Sequence, residues 1–343
     1  MRLLDSSLYT EDLKKALESI DLSNLDGQSF FITGGLGLIA STIVDVLLTY
    51  GKTGIIYIGA RNISQYEKRY GNLEKVCFIP YDAMKPLKLN IKPNYIIHGA
   101  GLANPELYTL MPVETLFSNI DGIHELLCFA KNNPVKRVLY ISSSEVYGKK
   151  STDEPFVEDK YGEVDIDNIR SSYAVAKIAS EMVCKAFTSE YEVDTVIVRP
   201  GHIFGPSAKK DDKRISSDFT FKASRQQKLE MRSAGLQKRS YCYSIDCAIQ
   251  ILTVLLKGNS GQAYNIGHDE ITTIREMAEI YSKAGNVELT MLQPTETELK
   301  AFNPMNNSAL DNTKVKNLGY RDMFSTKNGL IHTIDILKEV NNN

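Results

Sequence analysis

A short buried strand, a glycine-rich turn and an apolar helix follow one another near the start of this 343-residue chain. We predict them at Ser29–Thr33, Gly34–Ala40 and Ile43–Tyr50. Gly34 and Gly37 lack a side chain that would keep the backbone away from a pyrophosphate, whose charge is favourable at a helix N-terminus. Ala40 is small enough for close packing of helix on strand, and Leu38 and Ile39 are expected beside the same ligand. The turn therefore predicts a dinucleotide-binding βα unit.

Further strand patterns continue this alternation of strand and helix. They lie at Ile55–Ile58, Val76–Pro80, Tyr95–Ile97 and Leu139–Ile141, with a long helix predicted at Val113–Asn132. Strands separated by helices are typical of parallel βαβ units, so we predict an α/β protein with a Rossmann-like, doubly wound parallel sheet. The functional site is expected at the carboxyl ends of the strands.

Three regions are predicted along the chain. Residues 1–27 form a helical appendage capped by Thr10, residues 28–206 form the dinucleotide-binding domain, and residues 207–335 form mainly a smaller C-terminal lobe. The appendage is expected to pack on its own domain. The lobe elements are predicted at Ser217–Arg225, Leu229–Arg232, Asp246–Lys257, Ala263–Ile266 and 271–284, followed by a loop at 292–312. Thr273 and Glu276 have the spacing of a capping box.

The ends of the second, third and fourth strands carry residues that would meet the rest of a dinucleotide. NAD-binding proteins usually place an acidic residue after the second strand, but here Arg61 stands near that position and could meet a 2′-phosphate. Asp82, beside Ala83, could accept a hydrogen bond from the adenine amino group. Ala100 lies in a run of small residues that lets backbone pass close to the cofactor, and His98 is interpreted as structural. The cofactor is therefore NAD or NADP, with Arg61 favouring NADP.

Tyr173 and Lys177 lie four residues apart in a predicted helix and therefore share one face. A free tyrosine has a pKa of about 10, so it acts as a base near neutral pH only if cations stabilise its phenolate. Lys177 and an oxidised nicotinamide ring would supply two such cations. Ser143, at the end of the preceding strand, could hydrogen-bond the same substrate oxygen.

Four motifs occur together: Gly34-x-x-Gly37, Ser143, Tyr173-x-x-x-Lys177 and the segment Arg199–Pro206. Together they resemble the extended short-chain dehydrogenase/reductases, specifically their nucleotide-sugar epimerases, dehydratases and decarboxylases. The resemblance runs from about Ser29 to Gly285. It implies an NAD(P)-dependent enzyme that forms a transient 4-keto sugar. In that family the serine orients the sugar hydroxyl, the tyrosine takes its proton, and the lysine holds the nicotinamide ribose, with Pro200 near the cofactor.

The same resemblance implies contacts to a nucleotide-sugar substrate. Arg239 matches an arginine that grips the substrate pyrophosphate, and a guanidinium can give two parallel hydrogen bonds to phosphate oxygens. His202 stands where many relatives have an asparagine near the phosphates. Arg232 stands where UDP-sugar enzymes often have an aromatic or apolar residue beside the base. These residues therefore do not identify the nucleotide base of the substrate.

Glu145 bears on the type of reaction. In family dehydratases and decarboxylases, a glutamate two residues after the serine acts near sugar C5, although Ser144 replaces the aspartate that 4,6-dehydratases commonly have. The layout is most like UDP-glucuronate decarboxylases, but these place an arginine after the Gly-Pro pair, where this chain has Ser207. An epimerase or 4,6-dehydratase is therefore the main hypothesis, and a decarboxylase is the alternative. Glu145 could also be a structural acceptor.

Two alternative functions belong to other classes of protein. One is an NADP-dependent reductase of a non-nucleotide carbonyl compound, which would not need Arg239. The other is a catalytically silent nucleotide-sensing protein on the same fold. The resemblance also implies a homodimer in which helices 113–132 and 173–189 pair across a twofold axis, although their apolar residues would equally fit packing on the sheet.

The composition bears on the partners, metal sites and location that we expect for the chain. The net charge is −2 and no basic stripe is present, so a nucleic-acid partner is not expected. The five cysteines are dispersed and lack metal-ligand spacing, so no metal site is expected. No signal peptide and no apolar run of about 18 residues is seen, so we expect no membrane partner and a cytoplasmic location.

Overall fold

The computed structural model describes residues 2–71, 73–210, 212, 214–293 and 307–342. The strands are β1 (Phe30–Thr33), β2 (Ile56–Ala60), β3 (Val76–Pro80), β4 (Tyr95–His98), β5 (Arg137–Ile141), β6 (Thr195–Pro200), β7 (His202–Phe204), β8 (Leu229–Met231), β9 (Lys238–Tyr243), β10 (Ala263–Ile266), β11 (Ile271–Thr273) and β12 (Leu289–Met291). The helices are α1 (Ser7–Leu17), α2 (Leu38–Tyr50), α3 (Ile63–Arg69), α4 (Leu107–Leu110), α5 (Pro112–Lys131), α6 (Ser172–Tyr191), α7 (Ile215–Ser224), α8 (Ser244–Lys257), α9 (Ile274–Gly285), α10 (Thr313–Lys316) and α11 (Thr326–Asn342).

Seven parallel strands form the central sheet in the order β10-β6-β5-β4-β1-β2-β3. The order reverses between β1 and β4, where the loops after the two strands diverge and leave a crevice. Because alternate strand residues face opposite sides, Phe30 and Ile32 pack in one core cluster with α2 and α8. Phe31 packs in the other with residues of α5 and α6. The predicted Rossmann-like, doubly wound sheet is confirmed.

The strand at Ala263–Ile266 has the predicted bounds but belongs to the central sheet. It pairs in parallel with β6, Ala263 lying opposite Ile197. The helix before it, α8, packs against α2. Placing this strand and helix in the smaller lobe was wrong, because α8 is buried almost all round and needs the large sheet and α2 to cover it.

The smaller lobe consists of two short sheets and the helices around them. One sheet has the order β11-β9-β7, and the other pairs β8 with β12. The helices α7, α9 and α11 pack against one another beside these strands. The capping box of α9 is confirmed, since Glu276 N donates to Thr273 Oγ1 at 3.1 Å and Thr273 N donates to Glu276 Oε2 at 2.7 Å. Most of the loop predicted at 292–312 lies outside the described residues.

The N-terminal helix α1 packs on its own domain, as predicted, with Tyr9 and Leu13 fully buried against α2 and α8. Its cap is Ser6, whose hydroxyl accepts a hydrogen bond from Tyr9 N at 3.2 Å. The prediction of Thr10 as the cap was wrong. The helix begins one turn earlier, so the Thr10 hydroxyl instead donates to the carbonyl of Ser6 at 2.8 Å. In the part of the chain described, no helix is long and apolar enough to cross a membrane.

Candidate active site

The turn between β1 and α2 brings backbone, not side chains, to the switch point of the sheet. Gly34 has a φ of +69°, and a Cβ there would lie 2.6 Å from the carbonyl oxygen of Gly99. Gly37 is the N-cap of α2 and has no side chain that could cap the helix. The amide groups of the first turn of α2 therefore remain available to an anion. These features fit the pyrophosphate of a dinucleotide.

A cavity of about 1460 Å³ extends from this turn into the smaller lobe. It exceeds the roughly 300–1,000 Å³ of a single small-molecule site and so has room for a cofactor and a substrate together. The predicted cofactor residues that line it are Gly34, Gly37, Leu38, Ile39, Arg61, Asp82, Ala83, Ala100, Lys177 and Pro200. The predicted catalytic and substrate residues that line it are Ser143, Ser144, Glu145, Tyr173, His202 and Arg239.

Two predicted positions face elsewhere. Arg232 is absent from the described lining of the cavity, and its guanidinium lies 4.0 Å from the Glu230 carboxylate. Ser207 is buried, and its hydroxyl lies 3.4 Å from Thr42 Oγ1 and 3.1 Å from an Arg69 nitrogen. The residue after the Gly-Pro pair therefore packs against α2 and α3 rather than against a substrate. The lack of an arginine at position 207 thus carries little weight against decarboxylation.

Three of the four predicted catalytic residues, Ser143, Tyr173 and Lys177, meet where β5 ends and α6 begins. Tyr173 and Lys177 are 6% and 5% exposed, and Lys177 Nζ donates to the Ile141 carbonyl oxygen at 2.8 Å. Ser143 Oγ accepts a hydrogen bond from Glu145 N at 3.2 Å, and its hydroxyl is also a hydrogen-bond partner of Tyr173.

The protein's own groups raise the pKa of Tyr173. Burial, followed by the charge of Glu145, raises the pKa of Tyr173, while the Ser143 and Tyr108 hydroxyls act against this rise. Burial also lowers the pKa of Lys177, to about 7. Its Nζ lies 5.7 Å from the centre of the Tyr173 ring.

A second tyrosine and an arginine complete this wall of the cavity. The rings of Tyr108 and Tyr173 are stacked, with centres 4.4 Å apart and planes within 4°. Arg170 lies 5.7 Å from the Tyr108 ring centre and pairs with both carboxylate oxygens of Glu145, at 3.3 and 3.4 Å. Both side chains of this ion pair remain partly exposed to the cavity. Glu145 therefore has a structural partner and also faces the space where a sugar would lie.

A buried ion pair holds α6 against the sheet. Arg199 donates to Glu181, one turn after Lys177, at 2.7 Å, and Ser142 Oγ donates to the same carboxylate at 2.6 Å. Breaking such a buried pair costs about 3–5 kcal/mol. The network fixes the helix that carries Tyr173 and Lys177 to the ends of β5 and β6.

The lobe end of the cavity is cationic. His202 Nε2 lies 2.9 Å from Ser308 Oγ, and burial, Arg239 and Arg214 lower the histidine pKa to about 3, so the ring is neutral. Arg239 is only 4% exposed, and burial lowers its pKa. Arg214 lines the same cavity and pairs with Asp212 at 2.9 Å. The position of these side chains suits phosphate oxygens.

His98 is fully buried at the end of β4. Its Nδ1 lies 2.6 Å from Thr33 Oγ1, and burial lowers its pKa to about 3. A neutral, packed ring of this kind fits the structural interpretation.

Sequence reasoning missed Tyr108, Arg170 and Arg214. Arg170 stands three residues before Tyr173, so its place at the entrance to α6 offered a signal. Tyr108 and Arg214 lie in separate segments between the predicted motifs, and nothing local marks them. Only the tertiary fold brings them to Tyr173.

Comparison with known proteins gives one family. The model of the NAD dependent epimerase/dehydratase family matches residues 30–267. UDP-glucuronic acid decarboxylase 5 of Arabidopsis thaliana is 30% identical over 307 residues, covering 87% of this chain and 86% of the relative. The dTDP-D-glucose 4,6-dehydratase of Homo sapiens is 27% identical and covers 90% of this chain and 89% of the relative.

Solved structures show the same fold. The UDP-glucose 4-epimerase of Thermotoga maritima, solved with UDP-glucose, superposes with a TM-score of 0.78 at 22% identity. The match covers 91% of this chain and 99% of that protein. The sequence relatives thus include a decarboxylase and a 4,6-dehydratase, and an epimerase shares the fold.

Proposed function

Because this chain belongs to the NAD dependent epimerase/dehydratase family, we propose that it modifies the sugar of a nucleotide sugar through a 4-keto intermediate, as an epimerase or a 4,6-dehydratase does. The observation that carries this proposal is the shared cavity. Its wall joins Ser143, Tyr173 and Lys177 to a cationic end at Arg239 and Arg214. A sugar at the catalytic residues would thus have its diphosphate within reach of these arginines.

Each residue of the first step has a role that its contacts support. The Ser143 hydroxyl donates to the sugar C4 oxygen and orients it. Tyr173 takes the proton of the C4 hydroxyl. Lys177, held by the Ile141 carbonyl, binds the nicotinamide ribose. NAD(P), bound at the glycine turn, supplies a reversible acceptor for the C4 hydride and, when oxidised, a positive charge that favours the Tyr173 phenolate.

Glu145 acts in the second step. A ketone at C4 acidifies the hydrogen at C5, and a carboxylate beside the sugar can remove it. Glu145 is 31% exposed at the cavity wall, and its pairing with Arg170 fixes the direction of the carboxylate. This placement supports chemistry at C5 over simple inversion at C4.

The products of a substrate panel test the function. The purified protein is incubated with UDP-, dTDP-, GDP- and CDP-sugars, each with NAD and with NADP, and the products are analysed by mass spectrometry and retention time. Loss of water identifies a dehydratase, and unchanged mass with altered retention identifies an epimerase. If no nucleotide sugar is altered and none reduces the cofactor, the proposal fails.

Decarboxylation is the second candidate, and a specific observation favours it. Arg170 and Arg214 line the cavity near Tyr108 and Tyr173, and both are nearly half exposed. Either guanidinium could pair with a sugar carboxylate, a task for which position 207 is wrongly placed. Loss of carbon dioxide from a nucleotide-linked uronic acid in the same panel would establish this reaction.

Replacing Arg239 by alanine separates this function from reduction of a small carbonyl compound. We expect the KM for the nucleotide sugar to rise about tenfold to a hundredfold, since a charge-assisted phosphate contact contributes about 1.5–3 kcal/mol. The matched control is Lys238→Ala, an exposed neighbour outside the described cavity lining, which should leave the KM unchanged. Unaltered kinetics in Arg239→Ala would favour the reductase.

We also propose a homodimer formed by the outer faces of α5 and α6. Four apolar side chains on these adjacent helices are exposed, namely Val113, Phe117, Ile178 and Met182. Other apolar residues of the helices, such as Leu126 and Ala176, are buried, so the sheet uses one face of each helix and leaves the other uncovered. A second copy of the chain would cover it.

The cytoplasmic location likewise stays a prediction.

The Met182→Asp variant tests this dimer. Met182 is 63% exposed, so the change should leave the monomer folded but place a desolvated charge in the interface. We expect sedimentation to give a dimer for the natural protein and a monomer for the variant. Met291→Asp, on the smaller lobe and 46% exposed, is the control and should remain dimeric. A natural protein that sediments as a monomer rules out the dimer.

A further inference from the structure

We propose that the adenosine end of the cavity is a site for a 2′-phosphorylated dinucleotide, so that this protein takes NADP(H) in preference to NAD(H). The inference rests on the proposed function for the presence of a dinucleotide and goes beyond it in choosing between the two forms. The family's name mentions NAD, whereas we expect NADP(H) here, so the affinities for the two dinucleotides test the inference directly.

The position of Arg61 is the first step. β2 ends at Ala60, and Gly59 lies opposite Thr33 of β1 in the parallel register. Arg61 therefore emerges at the edge of the sheet beside the glycine turn, on the cavity wall. In NAD-binding sites a carboxylate accepts hydrogen bonds from the adenosine ribose near this position, whereas an arginine there accommodates a 2′-phosphate.

The turn after β2 carries a positively charged side chain and no negatively charged one. Residues 61–65 read Arg-Asn-Ile-Ser-Gln and contain no carboxylate. Arg61 is exposed, and among the described residues its guanidinium makes no hydrogen bond or ion pair. The Ser64 hydroxyl lines the same part of the cavity. A guanidinium and a hydroxyl supply donors for phosphate, and the turn lacks the carboxylate that NAD-binding proteins offer to the ribose hydroxyls.

The surrounding contacts keep Arg61 available. Asp82, at the end of the neighbouring strand, accepts a hydrogen bond from Met84 N at 3.1 Å within its own loop. It forms no ion pair with Arg61 in the described part of the chain. Asn62 caps α3 by accepting from Gln65 N at 2.9 Å, which fixes the backbone that carries Arg61. The positive charge is therefore positioned and is not neutralised by the protein.

The expected discrimination follows from this arrangement. The 2′-phosphate of NADP carries most of a double negative charge at neutral pH, whereas NAD has an uncharged hydroxyl at the same atom. A hydrogen bond to a charged group contributes about 1.5–3 kcal/mol, which corresponds to about a tenfold to hundredfold difference in Kd. Because Arg61 is exposed, salt should weaken NADP binding more steeply than NAD binding.

Direct binding tests the proposal without relying on turnover. Any dinucleotide that co-purifies is released and identified, and NADP⁺ and NAD⁺ are then titrated calorimetrically into the natural protein, Arg61→Ala and Arg61→Asp. We expect tighter binding of NADP⁺ by at least about tenfold. Arg61→Ala should raise the Kd for NADP⁺ by a similar factor while leaving that for NAD⁺ unchanged, and Arg61→Asp should reverse the preference. Lys68→Ala removes another exposed charge, on α3 and outside the described cavity lining, and should change neither Kd.

Other outcomes separate this inference from the proposed function. Equal affinities, or tighter binding of NAD⁺, overturn the 2′-phosphate site alone. Equal weakening of both cofactors in Arg61→Ala means that the guanidinium stacks on adenine, which also overturns it. Failure of the folded natural protein to bind either dinucleotide contradicts the proposed function as well.

Discussion

Replacing Tyr173 by phenylalanine is expected to abolish turnover while leaving NAD(P) binding within about threefold of the natural protein. Loss of a group that transfers a proton in the transition state lowers rates by about 10²–10⁴-fold. The phenyl ring keeps the stack on Tyr108, which has a ring separation of 4.4 Å, so the wall of the cavity should keep its shape. Single-turnover reduction of the cofactor and calorimetric binding measure the two effects separately.

The matched control is Tyr108→Phe. It preserves the same ring stack but removes the hydroxyl that opposes the rise in the Tyr173 pKa. We therefore expect a smaller loss of rate in this variant and a basic shift in its pH profile, since the Tyr173 phenolate then forms at higher pH. Near-normal turnover by Tyr173→Phe would overturn the proposed mechanism.

The parts of the site that were predictable depend on local chain geometry. Gly34 and Gly37 follow a buried strand directly, and Tyr173 and Lys177 are one helical turn apart. In both cases the spacing in the sequence determines the spacing in space. The same logic predicted the central sheet, because strands alternating with helices leave few parallel topologies.

The parts that were missed depend on contacts between distant segments. Tyr108 stacks on Tyr173 across 65 positions of sequence, and position 207 turns towards Thr42 and Arg69 instead of the cavity. The apolar strand β10 has no local feature that distinguishes a central strand from a lobe strand, and only its pairing with β6 decides this. Such placements depend on tertiary packing, and the periodicity of the sequence carries no information about that packing.

Electrostatics at the site could not be predicted from spacing either. The sequence places Lys177 beside Tyr173, but the effect of a cation depends on burial and on its other partners. Here burial raises the pKa of the tyrosine and lowers that of the lysine, so each group opposes the expected pairing. An oxidised nicotinamide bound beside Tyr173 would add a positive charge that favours its phenolate.

Replacing Glu145 by glutamine is expected to preserve the first oxidation and block the later chemistry at C5. The amide cannot remove a proton from C5, so overall turnover should fall by about 10²–10⁴-fold. The charge of Glu145 is the second cause of the raised Tyr173 pKa, after burial. Its removal lowers that pKa, so the phenolate forms at lower pH. The pH profile of the first step should therefore shift towards acid.

Two measurements separate the steps in Glu145→Gln. Single-turnover reduction of the cofactor reports oxidation at C4, and uptake of solvent deuterium reports proton exchange at C5. We expect the first signal to persist and the second to vanish. Arg170→Ala is the companion variant, because it leaves the carboxylate but removes the guanidinium that lies 3.3 Å from it, and should slow deuterium uptake without abolishing it. Loss of the first signal in Glu145→Gln would mean that the carboxylate positions the substrate, and unchanged deuterium uptake would leave Glu145 only its ion pair with Arg170.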